Sequence, residues 1–441
     1  MSTPESISAA PAAPDPALAG KRILLTTFGS LGDLHPYLAL ARGLQARGAL
    51  PVIGTSAFYR DMVERRGIPF TPIRPDVPPP DEMARIAVDL MDARKGTATV
   101  VRDMTMPWVR ESYADTLAAA QAIGADLLIS HLLTFATPLV GETLRLPWVS
   151  VVLQPLLFFS ASDPPALPLF QWVNHLPFDP GPWFWRALKR GAIATARQWY
   201  GPLHALQREL GQPTDRDSLL EAYSPTLTLA LFSPHFAPPQ PDWPPHTVAT
   251  GFPFLDTPED HVLSPELEAF LAAGPPPIVF TLGSSAVWTP GSFYPESVEA
   301  AVRLKRRAVL LTGPGAAERM PQLPPGVIAV DYAPHAAIFP RAAAIVHQGG
   351  IGTTAQALRA GKPTVIIPFA HDQFDNARRA ERLGLSLTMA REHYAAASAT
   401  RTLHRLLSNP DIARRADHFR RVIRAEDGIA AACDALGAAM C

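Results

Sequence analysis

A unit of buried strand, glycine turn and helix most constrains the fold of this chain, because it occurs near the amino terminus and again past the middle. The first unit runs from the apolar stretch 22–28 through Gly29 and Gly32 into a helical pattern that begins near Pro36. The second begins with the apolar stretch 278–282. Apolar strands that alternate with helices are typical of parallel sheets covered on both faces. The sequence therefore predicts an α/β protein with two doubly wound sheets.

Further strands are predicted between helical lengths on both sides of a proline-rich stretch. They are 52–54 with its neighbours, 126–130 and 148–153 in the first half, and 308–311, 327–330, 343–346 and 364–367 in the second. Proline runs mark irregular loops and boundaries. We therefore expect one domain at 21–235, a linker at 236–258 that acts as a hinge, and a second domain at 259–425.

Charge and cysteine content exclude several classes of protein. Lys and Arg total 39 against 40 Asp and Glu, so no net field attracts nucleic acid, and we expect no nucleic-acid partner. The two cysteines, Cys433 and Cys441, lie within nine residues of each other and cannot form a disulfide framework or a metal-ligand cluster. A reducing compartment and no metal site are the expectation.

The amino-terminal residues 1–20 lack a basic region followed by an apolar core, so we expect a disordered tail rather than a signal peptide. No apolar run reaches the roughly 20 residues that span a bilayer. Stable membrane insertion is therefore not expected. A cytoplasmic location is predicted, with peripheral association with the inner face of the membrane as an alternative.

The stretch 154–200 interrupts the strand–helix pattern with aromatic residues and prolines. Packing of these rings in an ordinary core is one interpretation. Because the prolines prevent one regular element, the other is that some rings line an apolar pocket for a lipophilic substrate. The predicted pocket residues are Phe158, Phe159, Phe170 and Trp172.

The glycine-rich turn 347–354 directly follows the predicted strand 343–346 and precedes a helix expected at 355–360. Glycines allow a ligand to approach the backbone closely, and the amino terminus of a helix offers free N–H groups and a positive dipole end. These properties suit a diphosphate. A tight turn that needs glycine only for its geometry is the alternative interpretation.

Polar residues follow two neighbouring strands of the second sheet. Asp372 and Gln373 come after strand 364–367, where a carboxylate beside an amide suits sugar hydroxyls, although Asp372 could instead cap the next helix. Tyr332 follows strand 327–330, where its ring could stack on a base while backbone groups near Ala333 contact the base edge.

Several motifs, in the correct order, resemble those of the GT-B glycosyltransferases. The chain is similar over 21–425 to the family 1 group that contains bacterial rhamnolipid, glycopeptide and flavonoid glycosyltransferases and the sterol glucosyltransferases. The matching motifs are Gly29 to Pro36, His347 to Thr354, Ala360-Gly361-Lys362-Pro363 and Asp372-Gln373. The resemblance implies two Rossmann-like domains that face each other across a cleft. The first would bind the acceptor, the second the nucleotide sugar, and a helix at 426–441 would cross back to the first domain.

The resemblance also implies a role for each matching residue. The diphosphate would be bound by His347, by the amides of Gly350, Gly352 and Thr353, and by Ser284 or Ser285 from the facing loop. Tyr332, Ala333 and His335 would frame the nucleoside, and Asp372 with Gln373 would bind the hexose. Plant members usually have Trp at position 332 and Glu at position 355. Their absence here leaves UDP and dTDP both open.

The implied reaction is an inverting transfer in which an acceptor hydroxyl attacks the anomeric carbon. His347 and the glycine turn would supply positive charge and N–H donors to the leaving diphosphate, with no metal and no cofactor besides the nucleotide sugar. Asp33 matches the position of the base in this subgroup, and His131 would be its partner. A carboxylate beside an imidazole lets either group take the proton, and Asp33 could instead be a helix cap.

The sequence therefore predicts transfer of a hexose, glucose or rhamnose, from a UDP- or dTDP-sugar to a hydroxyl of a hydrophobic small molecule such as a flavonoid, lipid, sterol or polyketide. Two alternatives use the same fold. One is a nucleotide-sugar epimerase, which needs no second apolar pocket. The other is a non-catalytic nucleotide-sugar-binding partner protein, which would tolerate loss of the base.

Overall fold

The chain forms two parallel β-sheets in a computed structural model that describes residues 15–168, 173, 180–214, 219–257 and 261–441. The first sheet contains β1 (Arg22–Thr26), β2 (Leu50–Thr55), β3 (Phe70–Pro72), β4 (Leu127–His131), β5 (Trp148–Val152), β6 (Leu227–Ala230) and β7 (Thr247–Ala249). The second contains β8 (Ile278–Thr281), β9 (Ala308–Leu311), β10 (Val327–Val330), β11 (Ala344–His347), β12 (Thr364–Ile366) and β13 (Ser386–Thr388).

Helices connect the strands of each sheet. In the first half they are α1 (Leu31–Ala46), α2 (Arg60–Glu64), α3 (Pro80–Leu90), α4 (Gly96–Ala98), α5 (Val109–Ile123), α6 (Ala136–Leu144), α7 (Pro182–Ala196) and α8 (Gly201–Glu209). In the second half they are α9 (Pro265–Ala272), α10 (Phe293–Arg303), α11 (His335–Ile338), α12 (Ile351–Ala360), α13 (Gln373–Arg382), α14 (Ala396–Ser408), α15 (Pro410–Ala425) and α16 (Gly428–Met440). A π-helical turn covers Thr99–Thr105. Short 3₁₀ turns are Ala57–Tyr59, Met106–Trp108, Pro155–Phe158, Arg197–Tyr200, Ala286–Trp288, Ala317–Arg319, Phe339–Arg341 and Arg391–His393.

The order of the strands in each sheet indicates where a ligand can bind. The first sheet has the order β3-β2-β1-β4-β5-β6-β7 and the second β10-β9-β8-β11-β12-β13, and the strand pairs are parallel. In both sheets the order reverses between the first strand and its later neighbour, which opens a crevice at the carboxyl ends of β1 and β4, and of β8 and β11. The predicted pair of doubly wound α/β sheets is confirmed. The turns after β1, β4, β8 and β11 therefore border the crevices.

The shortest strands differ from the predictions. β3 and β13, of three residues each, and β6, of four, were not predicted. β7 lies inside the range 236–258 predicted as a linker, yet it pairs in parallel with β6 and forms an edge of the first sheet. The prolines that indicated a linker flank this edge strand rather than exclude it.

Helix α1 begins at Leu31, five residues before the start predicted near Pro36, which lies inside the helix. Ser30 is the N-cap: its hydroxyl accepts the Gly32 N–H, and the Asp33 side chain accepts the N–H of Ser30. Such a reciprocal capping box satisfies two backbone donors of the first helical turn. The cap explains why the helix starts directly after the glycine turn.

The last helix of the chain packs on the first domain. Ala432, Cys433 and Leu436 of α16 are buried in the same core as residues of α1 and the first sheet. Arg47 Nη1 lies 2.5 Å from Asp434 Oδ1 at the edge of this contact. Both domains are therefore joined by the main connection after β7 and by the short link between α15 and α16.

Part of the first domain contributes to the core of the second. Leu90 and Met91, at the end of α3, are buried together with apolar residues of β8, β9, β11 and β12.

Among the helices that the structure describes, none is long and apolar enough to cross a membrane.

Candidate active site

Asp33 lies at the carboxyl end of the first sheet, where its carboxylate contacts two different groups. Oδ2 accepts hydrogen bonds from the backbone N–H of Ser30 at 2.8 Å and from the Ser30 hydroxyl at 3.2 Å. Oδ1 lies 3.6 Å from Nε2 of His131, the last residue of β4. Asp33 therefore caps the helix through Oδ2 and is the partner of His131 through Oδ1.

Gly29 is required for this arrangement. Its φ is +134°, and a Cβ added there would lie 2.3 Å from Asp33 Oδ2. No side chain larger than hydrogen fits so close to the carboxylate. The hydroxyl of Tyr59 donates to the carbonyl of Gly29 at 3.0 Å and fixes the turn. The glycine turn thus lets the Asp33 side chain fold back against Ser30.

The hydrogen bonds of His131 define its tautomer. Nδ1 accepts the backbone N–H of Leu133 at 3.2 Å, so the proton of the neutral ring is on Nε2, which faces Asp33. Burial lowers the pKa of His131 below its ordinary value, and the charge of Asp33 only partly opposes this. A ring with its proton on Nε2 cannot act as a base from that atom. The geometry therefore favours Asp33 as the proton acceptor and His131 as the residue that orients it.

In the second domain, His347 ends β11 and its side chain is fully buried. Its Nδ1 accepts the N–H of Gly349 at 3.0 Å, which leaves the proton on Nε2, and Nε2 has no hydrogen-bond partner. Burial lowers the pKa of His347 to about 3, so the ring is neutral near pH 7. We expected His347 to supply positive charge. It instead offers a buried, unpaired N–H donor, which is uncommon in a folded protein without a ligand.

Helix α12 begins directly after this histidine, at Ile351 rather than at the predicted residue 355. Gly350 is its N-cap, and no side chain caps the helix. Gly352 and Thr353 therefore belong to the first helical turn, where backbone N–H groups lack partners inside the helix. The amino terminus of α12 thus presents free donors and the positive end of the helix dipole beside His347.

Two of the three glycines in the stretch 347–354, Gly349 and Gly352, differ in what surrounds them. Gly349 has a φ of +93°, and a Cβ there would lie 2.7 Å from Ile366 Cγ2 and 3.0 Å from the carbonyl of Gln373. A Cβ at Gly352 would have no atom within 4 Å.

Gly349→Ala is therefore expected to destabilise the fold by about 2–4 kcal/mol, through backbone strain and overpacking. Gly352→Ala, the matched control, should stay within about 1 kcal/mol of the wild type, because alanine favours the helix. Urea denaturation followed by circular dichroism measures both. Equal stabilities of the two variants would contradict this account of the turn.

Asp372 and Gln373 lie at the amino terminus of α13, beside the same turn. The Asn376 amide donates to Asp372 Oδ2 at 2.6 Å and to the carbonyl of Gly349 at 2.9 Å. Gln373 Oε1 accepts the N–H groups of Phe369 and Ala370 at 2.8 and 3.1 Å, which leaves its amide nitrogen to donate. The pair thus offers one acceptor and one donor, linked to the glycine turn through Asn376.

The charges of the two domains interact across the cleft. Burial raises the pKa of Asp372 to about 7, and the charge of Asp33 contributes to the increase. The same charge opposes the lowering of the pKa of His371 that burial causes. Burial lowers the pKa of His335 to about 4, with a further contribution from His35 of α1. Asp33 and His35 of the first domain therefore lie close to the polar residues of the second.

The residues predicted to frame a nucleoside have different environments. The Tyr332 side chain is 63% exposed, Ala333 is buried in the core of the second domain, and the His335 ring stacks on Phe339 at 4.3 Å. Ser284 and Ser285 follow β8 and are half-buried, in the turn before the 3₁₀ segment Ala286–Trp288. The structure thus places Ser284 and Ser285 beside β11, whereas Tyr332 is not enclosed.

The predicted acceptor pocket is not supported by the described aromatic residues. Phe158 is 1% exposed and stacks on Trp243 at 4.3 Å, so its ring packs inside a core. Phe159 packs in a small buried cluster with Trp185. Phe170 and Trp172 lie outside the described residues. Burial of a ring cannot be deduced from its spacing among prolines, and here the ordinary packing interpretation applies to Phe158.

A small cavity lies beside Thr27 and Phe28, which follow β1. Its volume is about 20 Å³, room for about one water molecule. The hydroxyl of Thr27, one of its lining residues, donates to the carbonyl of Asp33 at 3.2 Å. The other lining residues are Phe28, Ile73, Arg74, Pro75, Thr105, Val109, Ser112, Thr116, Leu133, Thr134, Phe135 and Ala136.

Three residues near the site were missed by the sequence analysis. Asn376 bridges Asp372 to the glycine turn, and Asp375 and Arg379 form a buried ion pair on α13. The four-residue spacing of Asp375 and Arg379 could have indicated the pair, because residues four apart share a helix face. Within the described part of the chain, no group of three or more His, Cys, Asp or Glu residues could hold a metal ion.

Two family models match the chain, one in each half. The Glycosyltransferase family 28 N-terminal domain matches residues 23–155. The "Erythromycin biosynthesis protein CIII-like, C-terminal domain" matches residues 296–429. The two ranges contain Asp33 and His131, and His347 and Asp372, respectively.

Curated relatives align along nearly the whole chain. O-mycaminosyltylonolide 6-deoxyallosyltransferase of Streptomyces fradiae is 33% identical over 433 residues, which are 93% of this chain and 96% of that protein. Sterol 3-beta-glucosyltransferase of Aspergillus clavatus is 30% identical over 434 residues, or 94% of this chain. The chain spans only 29% of the length of that fungal protein.

Solved structures share the fold at lower identity. The glycotransferase of kitacinnamycin superposes with a TM-score of 0.70 at 22% identity, covering 96% of this chain and 99% of that one. VinC in complex with dTDP superposes with a TM-score of 0.65 at 22% identity, covering 95% and 99%. The predicted GT-B fold is confirmed. Together with the relative from Streptomyces fradiae, these similarities show that the chain belongs to the GT-B glycosyltransferases, in the group that includes macrolide and sterol glycosyltransferases.

Proposed function

We propose that the protein is an inverting glycosyltransferase that moves a hexose, glucose or rhamnose, from a UDP- or dTDP-sugar to a hydroxyl of a hydrophobic small molecule. One observation carries the proposal. The charge of Asp33 on one domain acts on Asp372 of the other, and Asn376 links Asp372 to the glycine turn that carries the uncapped start of α12 and the unpaired N–H of His347. A general base and an anion site that face each other suit displacement at a carbon between them.

Asp33 acts as the general base. The acceptor hydroxyl gives its proton to the carboxylate while its oxygen forms a bond to the anomeric carbon, and the bond from that carbon to the diphosphate oxygen breaks. The electron pair of the broken bond stays on the phosphate oxygen. His131 Nε2–H holds the Asp33 carboxylate in its orientation, and Ser30 fixes the second oxygen.

The leaving diphosphate gains negative charge as the bond breaks. The N–H groups at the start of α12 and the Nε2–H of His347 lie where such a charge is stabilised, with the helix dipole adding to it. The hydroxyls of Ser284 and Ser285 contribute from the turn after β8. Because these donors stabilise the leaving group, we propose that transfer needs no metal ion, so activity should persist in EDTA.

The hexose lies against the start of α13. Asp372 accepts hydrogen bonds from sugar hydroxyls, and the free amide nitrogen of Gln373 donates to one. Two proteins with a similar fold, VinC and the spinosyn rhamnosyltransferase SpnG, are both solved with thymidine diphosphate (dTDP). These complexes support a thymidine nucleotide as the donor for this chain, and UDP is the alternative that the binding experiment compares with it.

The acceptor lies on the first domain, beside the cavity next to Thr27. Its wall combines apolar residues such as Phe28 and Val109 with a few hydroxyls, which is typical of a site for a hydrophobic ligand. Because the cavity has room for about one water molecule, an acceptor requires the wall to move outward. The π-helical turn Thr99–Thr105 supplies Thr105 to this wall, and such turns often occur at functional sites.

A nucleotide-binding experiment tests the proposal first. UDP, dTDP and their glucose and rhamnose conjugates should raise the melting temperature of the protein, because ligands that bind only the folded state stabilise it. His347→Ala should remove the effect, whereas His393→Ala, an exposed histidine of the second domain, should not. If none of these nucleotides changes the melting temperature, the proposed donor site is wrong.

A product screen separates the proposal from its alternatives. Mass spectrometry of mixtures with a flavonol, a sterol and a macrolide aglycone should show a hexose added to at least one acceptor. An epimerase would change the sugar of the donor in the absence of any acceptor. A non-catalytic binding protein would bind the nucleotide sugar and leave both donor and acceptor unchanged.

A further inference from the structure

A loop of the first domain, residues 159–166, contacts the second domain through side chains and backbone, in addition to the two places where the chain crosses between the domains. On its own domain, the Ser160 hydroxyl donates to Asp242 Oδ1 at 2.5 Å, and the N–H of Ala161 donates to Asp242 Oδ2 at 2.6 Å. The N–H groups of Ser162 and Asp163 donate to the Ser160 hydroxyl. We call this loop the strap. Its near end is thus fixed to the first domain.

The far end of the strap is held by helix α13 of the second domain. Asp163 forms ion pairs with Arg379 and with Arg382, the latter at 2.9 Å. The N–H of Ala166 donates to Asp375 Oδ1 at 3.0 Å, and Asp375 Oδ2 pairs with Arg379 Nε at 2.7 Å. Residues 375, 379 and 382 lie on one face of α13 because they are spaced by four and three. That whole face is used to bind the strap.

The charged side chains of Asp163, Asp375 and Arg379 are buried, so each needs its partners to offset the cost of burying its charge. The exposed fractions of the side chains are 3% for Arg379, 1% for Asp375 and 14% for Asp163. A buried charge that loses its partner is strongly unfavourable, whereas a satisfied network holds its members in one geometry. Arg379 is therefore satisfied only when a carboxylate from each domain is in place.

Helix α13 is also the helix that carries the proposed hexose pair. Asp372 is its N-cap residue and Gln373 its first residue, so Asp375 lies in the same first turn. A Cβ at Gly96 of the first domain would lie 2.9 Å from the ring of His371, the residue before Asp372. The start of α13 thus lies close to the first domain at Gly96 as well as at the strap.

We propose that Arg379 is a positioning residue for glycosyl transfer: through Asp163 it fixes the hexose-binding start of α13 relative to Asp33. The inference rests on the proposed function, because it assigns the strap a role in that reaction. The base and the hexose site are on different domains, and only contacts between the domains can set their separation. A displacement of about 1 Å between reacting groups can cost about 100-fold in rate.

Asp163→Asn tests the proposal, since it removes the charge between the domains while leaving the Asp375–Arg379 pair on α13. We expect kcat to fall at least about 10-fold, measured with the donor and acceptor found in the screen, or with water as acceptor if none is found. The Kd of UDP or dTDP should stay within about twofold, because the nucleotide contacts the second domain only. Asp163→Glu should restore part of kcat. Glu209→Gln, which removes an exposed ion pair with Arg110 inside the first domain, is the matched control.

A wild-type kcat for Asp163→Asn, with unchanged nucleotide affinity, overturns the proposal. Equal losses of kcat and of nucleotide affinity overturn it too, because they indicate a structural role. If Asp163→Asn does not fold, Arg382→Gln decides: the Arg382 side chain is 45% exposed, and we expect a smaller fall in kcat without a change in melting temperature. Absence of nucleotide binding by the wild type would instead reject the proposed function and is measured separately.

Discussion

Asp33→Asn is expected to lower kcat for glycosyl transfer by about 10²- to 10⁴-fold, the contribution that a general base usually makes. An amide cannot accept the proton of the acceptor hydroxyl, yet it has nearly the shape of the carboxylate. The Kd of UDP or dTDP should not change, because the donor site lies on the other domain. Steady-state kinetics and calorimetric titration measure the two quantities on the same preparation.

The fold should tolerate this substitution. The amide oxygen of asparagine can still accept the Ser30 N–H that Asp33 Oδ2 accepts, so the helix cap is kept. Its NH2 group then faces the Nε2–H of His131, and the loss of this contact should cost about 1–2 kcal/mol. Asp61→Asn, at an exposed acidic position in the first turn of α2, is the matched control for removing a charge there. Its kcat should equal that of the wild type.

His131→Ala provides the comparison that decides between the two candidate bases. With its Nδ1 occupied by the N–H of Leu133, His131 orients Asp33, and its loss should lower kcat only about 10-fold. If His131→Ala abolishes transfer while Asp33→Asn retains it, the assignment of the base is reversed. Melting temperatures of both variants show whether either loss of activity reflects unfolding.

The second prediction concerns Asp372, whose replacement by asparagine should stabilise the protein and impair donor binding. Burial raises the pKa of Asp372 to about 7, above its ordinary value of 3.8, so the folded state disfavours the charged form. The stability that this carboxyl group contributes is fully present below about pH 4 and is lost as the pH rises to about 7. Asparagine has no proton to lose and avoids this loss.

The stability difference between Asp372→Asn and the wild type should therefore be small near pH 4, grow towards pH 7 and then stay constant. Because one pKa unit corresponds to about 1.4 kcal/mol and Asp372 is partly exposed, we expect a plateau of about 1–3 kcal/mol. Urea denaturation at pH 4, 5.5, 7 and 8 measures the curve. A difference that does not change with pH would show that Asp372 does not titrate in this way.

The affinity for the nucleotide sugar should fall in Asp372→Asn, although the stability of the fold should rise. An ionised carboxylate accepts hydrogen bonds only, so wild-type affinity for the nucleotide sugar should rise as the pH passes through about 7. Asp372→Asn should bind the nucleotide sugar about 10-fold or more weakly, and its affinity should not depend on pH between 6 and 8. UDP or dTDP alone, which lacks the hexose, serves as the control ligand and should bind both proteins equally.

The sheets and the turns at their carboxyl ends could be predicted from the sequence because both depend on local patterns. Apolar runs such as 278–281 predict strands, and glycines directly after them predict turns. The short edge strands could not be predicted, because pairing with a neighbour, as of β7 with β6, decides their existence. Burial of Phe158 against Trp243 likewise depends on contacts between residues 85 positions apart.

The features of the candidate site also divide into those that local sequence predicts and those that depend on packing. Asp33, His347 and Asp372 were predicted from motifs and His131 from its position after a strand, whereas the neutral state of His347 follows from its burial, which no motif contains. The ion pairs of Arg379 with Asp163 join residues 216 positions apart. Protonation states and partners across a cleft are properties of the packed protein.

The two places where the chain passes between the domains touch each other. A Cβ at Gly428, the first residue of α16, would lie 2.6 Å from the carbonyl of Phe252, and the Ser233 hydroxyl donates to Glu426 Oε1 at 2.6 Å. Two tethers at one point act as a single pivot, which allows rotation of one body against the other but little translation. The strap is a further contact between the two bodies, because Asp163 pairs with Arg379 of α13. A small swing that separates Asp163 from Arg379 would therefore open the gap between base and sugar while leaving each half internally unchanged.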